Sequence, residues 1–237
     1  MKFKYCGIML FSVLMLFSCA TYRHSGYSES REFRLAAVGD SITYGLGIEN
    51  RYQNSYPAQL ENKLGPSWVV ANFGKSGTTL LSQGDHPYTE TNQFTDVLDF
   101  NPDMVIIMLG TNDSKPQNRI YLDDFAEEYI QLINRFQSLS SKPLICICYP
   151  VPAFDGIWGI EDRIITEHII PAIKEVAEKS GVLLIDLNSA LRSRSDLFPD
   201  TVHPDTEGAR LIADTIFFYL RENLSSSFYD RTSYYQL

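Results

Sequence analysis

The chain has 237 residues, 44% of them hydrophobic, which is enough to bury the core of one domain. Its formal net charge of −9 argues against a nucleic-acid-binding protein, because phosphate binding needs clustered lysine and arginine. The sequence shows no internal repeat, so repeat architectures are also excluded.

The amino terminus has the form of an export signal. Lys2 and Lys4 precede an apolar run over residues 8–17. This run has the length of a signal-peptide core and is too short to span a bilayer comfortably. We therefore predict a signal peptide over residues 1–18.

The signal ends in Leu-Phe-Ser-Cys, which resembles the processing site of bacterial lipoproteins. We predict a lipid anchor on Cys19 and a polar tether over residues 19–31. The residue after the cysteine is Ala20 and not an aspartate, and by resemblance to other lipoproteins this favours delivery to the outer membrane. Whether the protein faces the periplasm or the cell surface is left undecided by the sequence. The alternative is an ordinary secretory signal in which Cys19 is incidental.

Strands and helices alternate along the rest of the chain, which predicts one domain over residues 32–223 and a loose tail over residues 224–237. Apolar runs predict strands at residues 33–38, 68–72, 104–109, 144–148 and 182–185. Helical periodicity predicts helices at residues 56–64, 94–100, 122–139, 161–179 and 207–220. Pro171 is expected either to begin a second helix or to kink a long one. The alternation indicates an α/β fold, a three-layer α/β/α arrangement around a five-stranded parallel sheet.

Two cysteines, Cys146 and Cys148, stand two residues apart in the fourth predicted strand. They project from the same face of that strand, a poor geometry for a disulfide and a poor zinc signal without a second ligand pair. We therefore expect both to be small core residues.

The informative polar residues each follow a predicted strand. Ser41 follows the first strand, Gly77 the second and Asn112 the third, while Asp200 and His203 come after the fifth. The carboxyl ends of parallel strands meet at one edge of the sheet, where α/β proteins hold their ligands. We therefore expect these five residues to lie together.

Their chemistry suits a nucleophile with its base and an orienting acid. His203, as a neutral imidazole, can take the proton of the Ser41 hydroxyl. Asp200 can hold the other ring nitrogen and stabilise the imidazolium, which completes a catalytic triad of Ser41, Asp200 and His203. The backbone N–H groups of Ser41 and Gly77 and the side-chain amide of Asn112 are the expected oxyanion-hole donors.

These residues give the chain a family resemblance. It resembles the SGNH hydrolases, also called GDSL-type esterases, over residues 33–222. Four sequence blocks carry the resemblance and occur in the order of the family: Gly39-Asp40-Ser41-Ile42-Thr43, Gly77, Gly110-Thr111-Asn112-Asp113 and Asp200-Thr201-Val202-His203-Pro204. Ile42 replaces the usual leucine of the family. The resemblance implies a flavodoxin-like sheet of strand order 2-1-3-4-5, no cofactor, and ester hydrolysis through an acyl-serine. No cluster of ligand residues has metal spacing, so no metal is expected.

Four further residues in loops or at strand ends call for an interpretation. His86 is a candidate substrate contact, because loops at this edge carry function. Trp158 is either a packing residue or a platform for a sugar ring. Asp113 is expected to brace its own turn rather than to react, and Asp186, at the end of the fifth strand, to satisfy local backbone N–H groups.

The leading hypothesis is a cell-envelope esterase that removes small acyl groups, above all acetyl, from carbohydrates. It rests on the four blocks, on the predicted export, and on the lack of a basic patch for phosphate or a long apolar insertion for fatty chains. One alternative is a lysophospholipase or thioesterase of broad acyl range. Another is a glycan-binding lipoprotein without activity. The expected partners are an acetylated glycan or small acyl ester and, through Cys19, a membrane.

Overall fold

A computed structural model of the chain describes residues 32–154 and 156–224. The predicted signal peptide, the tether with Cys19 and all but the first residue of the predicted tail lie outside this range. None of the helices within it has the length and apolar character that crossing a membrane requires.

The described residues form one parallel sheet in the order β2-β1-β3-β4-β5, which confirms the predicted fold class and strand order. The strands are β1 (Phe33–Gly39), β2 (Trp68–Gly74), β3 (Met104–Met108), β4 (Leu144–Cys148) and β5 (Leu183–Ile185). β3 is buried at every position, as expected for a central strand covered on both faces. Cys146 and Cys148 are buried and unbridged in β4, in agreement with their prediction as core residues.

Helices cover both faces of this sheet. They are α1 (Ser41–Tyr44), α2 (Arg51–Asn54), α3 (Tyr56–Leu64), α4 (Asn92–Phe100), α5 (Phe125–Gln137), α6 (Asp162–Ile164), α7 (Ile170–Ser180), α8 (Leu187–Leu191) and α9 (Thr206–Asn223). One apolar cluster holds buried residues of α4, α5 and α7, and a second holds those of α3, α8 and α9. Successive β3 side chains enter opposite clusters, Ile107 the first and Ile106 the second, as a strand requires.

Helix boundaries differ from the predicted ones where the backbone departs from α geometry. The helix predicted at residues 122–139 begins as a 3₁₀ segment (Arg119–Asp124) before α5. The helix predicted at residues 161–179 contains a π turn (Ile165–Ile169), in which the Ile170 N–H donates to the Ile165 carbonyl. The helical run is unbroken from Asp162 to Ser180, and Pro171 lies within it directly after the π turn, so no separate helix begins there. The prediction of one long helical run is the one that the structure supports.

The short helix α1 lies directly over the paired ends of β1 and β2. Gly39 and Gly74 are neighbours in the parallel register there. A Cβ atom on Gly74 would lie 2.2 Å from the backbone nitrogen of Tyr44, and one on Gly39 would lie 2.1 Å from the Thr43 hydroxyl. The two glycines therefore let α1, which begins with Ser41, approach the sheet closely.

Candidate active site

Three side chains that are distant in sequence form a hydrogen-bonded chain at the carboxyl edge of the sheet. His203 Nε2 lies 2.8 Å from Ser41 Oγ, and His203 Nδ1 lies 2.8 Å from Asp200 Oδ2. Because the Asp200 carboxylate can only accept, Nδ1 carries the proton and Nε2 is left to accept the proton of the Ser41 hydroxyl. The structure thus brings together the three residues of the predicted triad in the tautomer that a general base needs.

The turn that carries Asp200 is held by the carboxylate itself. Its Oδ1 accepts hydrogen bonds from the backbone N–H groups of Val202, at 3.0 Å, and His203, at 2.6 Å. Partial burial alone would raise the pKa of Asp200, but these bonds and the His203 ring lower it below its ordinary value. Thr201 adopts φ +68°, a left-handed conformation that is strained for a β-branched residue. This local strain accompanies the closure of the turn.

The predicted oxyanion donors line the cavity beside Ser41. Ser41, Gly77 and Asn112 all contribute to its wall. Among the described residues, the N–H groups of Ser41 and Gly77 have no hydrogen-bond partner. Gly77 adopts φ +83°, a conformation that leaves its loop free of a side chain at this point. One N–H of the Asn112 side-chain amide donates to the Thr78 carbonyl at 3.0 Å, so the second N–H of this amide remains for a ligand.

Two loops of the site are fastened to each other by buried side chains of the third block. Asp113 accepts hydrogen bonds from the N–H groups of Leu80, at 3.0 Å, and Leu81, at 2.9 Å. Together with the Asn112–Thr78 bond, these contacts join the loop after β3 to the loop after β2. Asp113 therefore braces the loop after β2 in addition to its own backbone N–H, so its reach extends beyond the turn in which it was predicted to act. Asp186, as predicted, accepts from local groups, the N–H and hydroxyl of Ser189.

Two carboxyl groups are buried completely beside the triad. Burial raises the pKa of Asp40 to about 6, against the opposing effects of the Ile42 N–H and the His203 imidazole. Burial also raises the pKa of Asp113 to about 7, although its hydrogen bonds from Leu81 and Leu80 oppose the shift. Asp40 Oδ1 caps α1 by accepting from Ile42 at 2.9 Å. Both groups hold the loops that position Ser41 and Asn112.

The cavity next to Ser41 has a volume of about 160 Å³. This is smaller than the roughly 300–1,000 Å³ typical of sites for drug-sized ligands. Leu46 and Trp158 stand at its wall with 40% and 55% of their surfaces exposed, so they form an apolar rim. The Trp158 ring centroid lies 5.1 Å from that of His203. Trp158 has φ +54°, so the backbone is strained where it presents the ring.

The two candidate substrate contacts differ in placement. Trp158 lines the cavity, whereas His86 does not. The His86 ring is adjacent to Gly77, since a Cβ atom on Gly77 would be 3.7 Å from its Nδ1. Its backbone carbonyl accepts from the Thr79 N–H at 2.9 Å, a contact that holds this loop.

Several cavity residues escaped the sequence analysis. Lys115, Leu46, Ser76 and Ile160 line the wall without belonging to a recognised block. The position of Lys115, three residues after Asn112 in the same loop, was a usable signal. Within the described ranges, no group of three or more His, Cys, Asp or Glu side chains could hold a metal ion.

Comparison with known proteins places this site in a family. The model of the GDSL-like lipase/acylhydrolase family matches residues 37–211. The chain therefore belongs to this family, and its resemblance to the SGNH hydrolases is confirmed. The matched region contains Ser41, Asn112, Asp200 and His203.

Two proteins similar to this chain are named as esterases. An acetylxylan esterase of Xylanibacter ruminicola is 39% identical over 201 residues, and the match covers 77% of this chain and 42% of the relative. A multidomain esterase of Ruminococcus flavefaciens is 24% identical over 214 residues, covering 76% of this chain and 27% of the relative. The chain thus spans less than half the length of either relative.

A solved structure supports the fold. A carbohydrate acetylesterase from Sinorhizobium meliloti aligns with a TM-score of 0.66 at 18% identity, over 81% of this chain and 99% of that protein. At this identity the likeness shows a common architecture.

Proposed function

We propose that this protein is a serine esterase that hydrolyses small acyl esters, above all acetyl groups on carbohydrates. The observation that carries the proposal is the pair of 2.8 Å contacts that join Ser41, His203 and Asp200 at the wall of a cavity. Membership of a lipase and acylhydrolase family supports ester hydrolysis, and the acetylxylan esterase relative supports acetyl on a glycan.

In the proposed reaction, His203 Nε2 takes the proton of the Ser41 hydroxyl as Oγ attacks the ester carbonyl. The negative charge that develops on the carbonyl oxygen is held by the N–H groups of Ser41, Gly77 and Asn112. Collapse of this intermediate breaks the ester C–O bond, and His203 gives the proton to the departing sugar oxygen, which leaves as a hydroxyl. Water then attacks the acyl-serine and gives a proton to His203. When the bond to Ser41 Oγ breaks, His203 returns that proton to Oγ, and acetic acid leaves and ionises to acetate.

The size of the cavity supports a small acyl group. A volume of about 160 Å³ beside Ser41 holds an acetyl group but leaves the sugar at the rim. Trp158 is half exposed there and offers an aromatic face to a sugar ring. The second candidate, a lysophospholipase or thioesterase of broad acyl range, is favoured by the exposed apolar surfaces of Leu46 and Trp158.

Two measurements test the proposal. A fluorophosphonate probe should label the wild-type protein and the Ser76→Ala variant but not Ser41→Ala, because Ser76 lines the same cavity without an imidazole partner. Absence of labelling would favour a glycan-binding protein. On p-nitrophenyl acetate, butyrate and octanoate we expect the highest kcat/KM for acetate, and release of acetate from acetylated xylan. A preference for octanoate would favour the second candidate.

We also propose that the protein is an exported lipoprotein held in the bacterial envelope by a lipid on Cys19, with the outer membrane favoured. The sequence of the first 20 residues supports this. Metabolic labelling with a fatty-acid analogue should mark the wild-type protein and not Cys19→Ala. Equal labelling of both would contradict the anchor.

A further inference from the structure

The cavity contains one cation whose charge the proposed reaction does not use. Lys115 lines the wall together with Ser41, Trp158 and His203. Its side chain is half-buried. Within the described ranges, the ammonium group of Lys115 forms neither a hydrogen bond nor an ion pair. Arg119 in the same loop differs, because its guanidinium lies 2.6 Å from Glu161. An ammonium group that has no counterion in the protein can pair with an anionic group of a ligand.

No carboxylate among the described residues pairs with Lys115. The charge of Lys115 reaches both Asp40 and Asp85, but neither forms an ion pair with it. The two oxygens of Asp85 accept from Gln117 Nε2, at 2.8 Å, and Asn118 Nδ2, at 2.9 Å. Asp40 is fully buried; its Oδ1 caps α1, and its Oδ2 has no hydrogen-bond partner among the described residues. The Lys115 ammonium therefore remains available to an anion in the cavity.

The backbone holds Lys115 rigidly next to the predicted oxyanion donor. Its N–H donates to the Asn112 carbonyl at 3.2 Å, and its own carbonyl accepts from Asn118 and Arg119, each at 2.9 Å. Pro116 restricts Lys115 to an extended conformation, which it adopts with φ −62° and ψ 148°. The ammonium is thus carried by the same fixed turn as the Asn112 amide.

Lys115 also shares one side of the cavity with Trp158. The loop of Trp158 packs on the residue that follows Lys115, since a Cβ atom on Gly159 would lie 3.1 Å from Pro116. With the acetyl group in the cavity of about 160 Å³ beside Ser41, we place the sugar at its open rim. In this placement the group that meets Lys115 is on the alcohol part of the ester, beside Trp158.

We infer that Lys115 is a specificity residue that binds a carboxylate on the alcohol part of the substrate, so that the preferred substrate is an acidic, uronic acid-bearing acetylated glycan. This inference rests on the proposed esterase function. The protein itself has a net charge of −9, so an anionic glycan would be repelled without a local cation. Lys115 supplies that cation at the point of chemistry.

A pair of small esters isolates the charge. 4-Acetoxybenzoate and its methyl ester both carry an acetyl group on a phenol, but only the first is an anion at neutral pH. In Lys115→Gln, kcat/KM for 4-acetoxybenzoate should fall about tenfold, as for a charge-assisted contact, while that for the methyl ester changes less than about twofold. Lys115→Arg should retain most of the activity on the anion. Lys174→Gln, which removes an exposed positive charge on α7, is the matched control and should behave as wild type.

A second readout needs no variant. The preference of the wild-type protein for the anionic ester should shrink as salt is raised from low to high concentration, because salt screens the pair. Wild type should also release acetate faster from acetylated xylan that carries glucuronic acid than from acetylated xylan without it, and Lys115→Gln should lose this difference.

The outcomes are distinct. Equal losses on both small esters would mean that Lys115 serves the common chemistry, and no loss on either would mean that it does not meet the substrate; both results overturn the inference and leave the esterase standing. If neither ester is hydrolysed by the wild-type protein, the proposed function fails and this inference fails with it.

Discussion

The replacement Asp200→Asn tests the proposed base most sharply, because the structure dictates how the new amide must sit. In the native turn, Oδ1 of Asp200 accepts from two backbone N–H groups, those of Val202 and His203. An asparagine keeps both bonds only with its carbonyl oxygen at this position. Turning the amide over would set its NH₂ against two N–H donors and lose about 2 kcal/mol, which favours the first orientation roughly 30-fold.

With the amide oxygen held by the turn, its NH₂ faces His203 Nδ1, 2.8 Å away in the native structure. A donor at this position forces Nδ1 to accept, so the ring proton moves to Nε2 and points at the Ser41 hydroxyl. His203 then has no lone pair for that proton. We expect kcat to fall by about 10³- to 10⁴-fold, the loss that a wrong tautomer causes in such triads.

The assay is hydrolysis of p-nitrophenyl acetate, with the free energy of unfolding measured in urea on the same samples. Asp200→Asn should change that free energy by less than about 1 kcal/mol, because the backbone bonds remain. Asp200→Ala, which loses them, should be less stable. Asp196→Asn is a control, since Asp196 is an exposed acid whose side chain bonds Arg194, away from the triad. An Asp200→Asn variant within tenfold of wild-type kcat would refute the tautomer argument.

Three further predictions follow from the same geometry. Asn112→Ala should lower kcat on p-nitrophenyl acetate by about 10²- to 10³-fold through loss of an oxyanion donor; unchanged turnover would remove Asn112 from the site. Gly74→Ala should lower the free energy of unfolding by at least about 2 kcal/mol, because its Cβ would lie 2.2 Å from the backbone of Tyr44; a neutral effect in urea would contradict that packing. Stability should also depend on pH. Folding raises the pKa of Asp40 from 3.8 to about 6 and that of Asp113 from 3.8 to about 7, so both groups favour the folded state while they are protonated. The free energy of unfolding should therefore fall as pH rises from about 4 to 7. The lowered pKa of Asp200 acts oppositely, below about pH 4. Urea titrations at pH 4.5, 6 and 8 would contradict this if stability rose across the series.

The periodic spacing of apolar residues along the chain was sufficient to predict the architecture. Continuous apolar runs such as residues 104–109 mark strands buried on both faces, and helical patterns between them require parallel strands with crossovers. Parallel strands gather their carboxyl ends at one edge, so the meeting of Ser41 with Asp200 and His203 could be predicted from their positions after strands. Short elements without a full period, such as α2 and α8, could not be predicted in this way.

The fold, the family and the residue types that could form a base with its nucleophile can therefore be inferred from the chain's residues alone. The partners of the polar side chains become visible only in three dimensions. Asp113 reaches across to the N–H groups of Leu80 and Leu81, and His86 is adjacent to Gly77 without lining the cavity. Lys115 lines the cavity and forms no ion pair with any described residue. The physical reason is that periodicity is a local property of the chain, whereas hydrogen-bond partners, desolvation and left-handed residues such as Trp158 depend on atoms that come from distant loops.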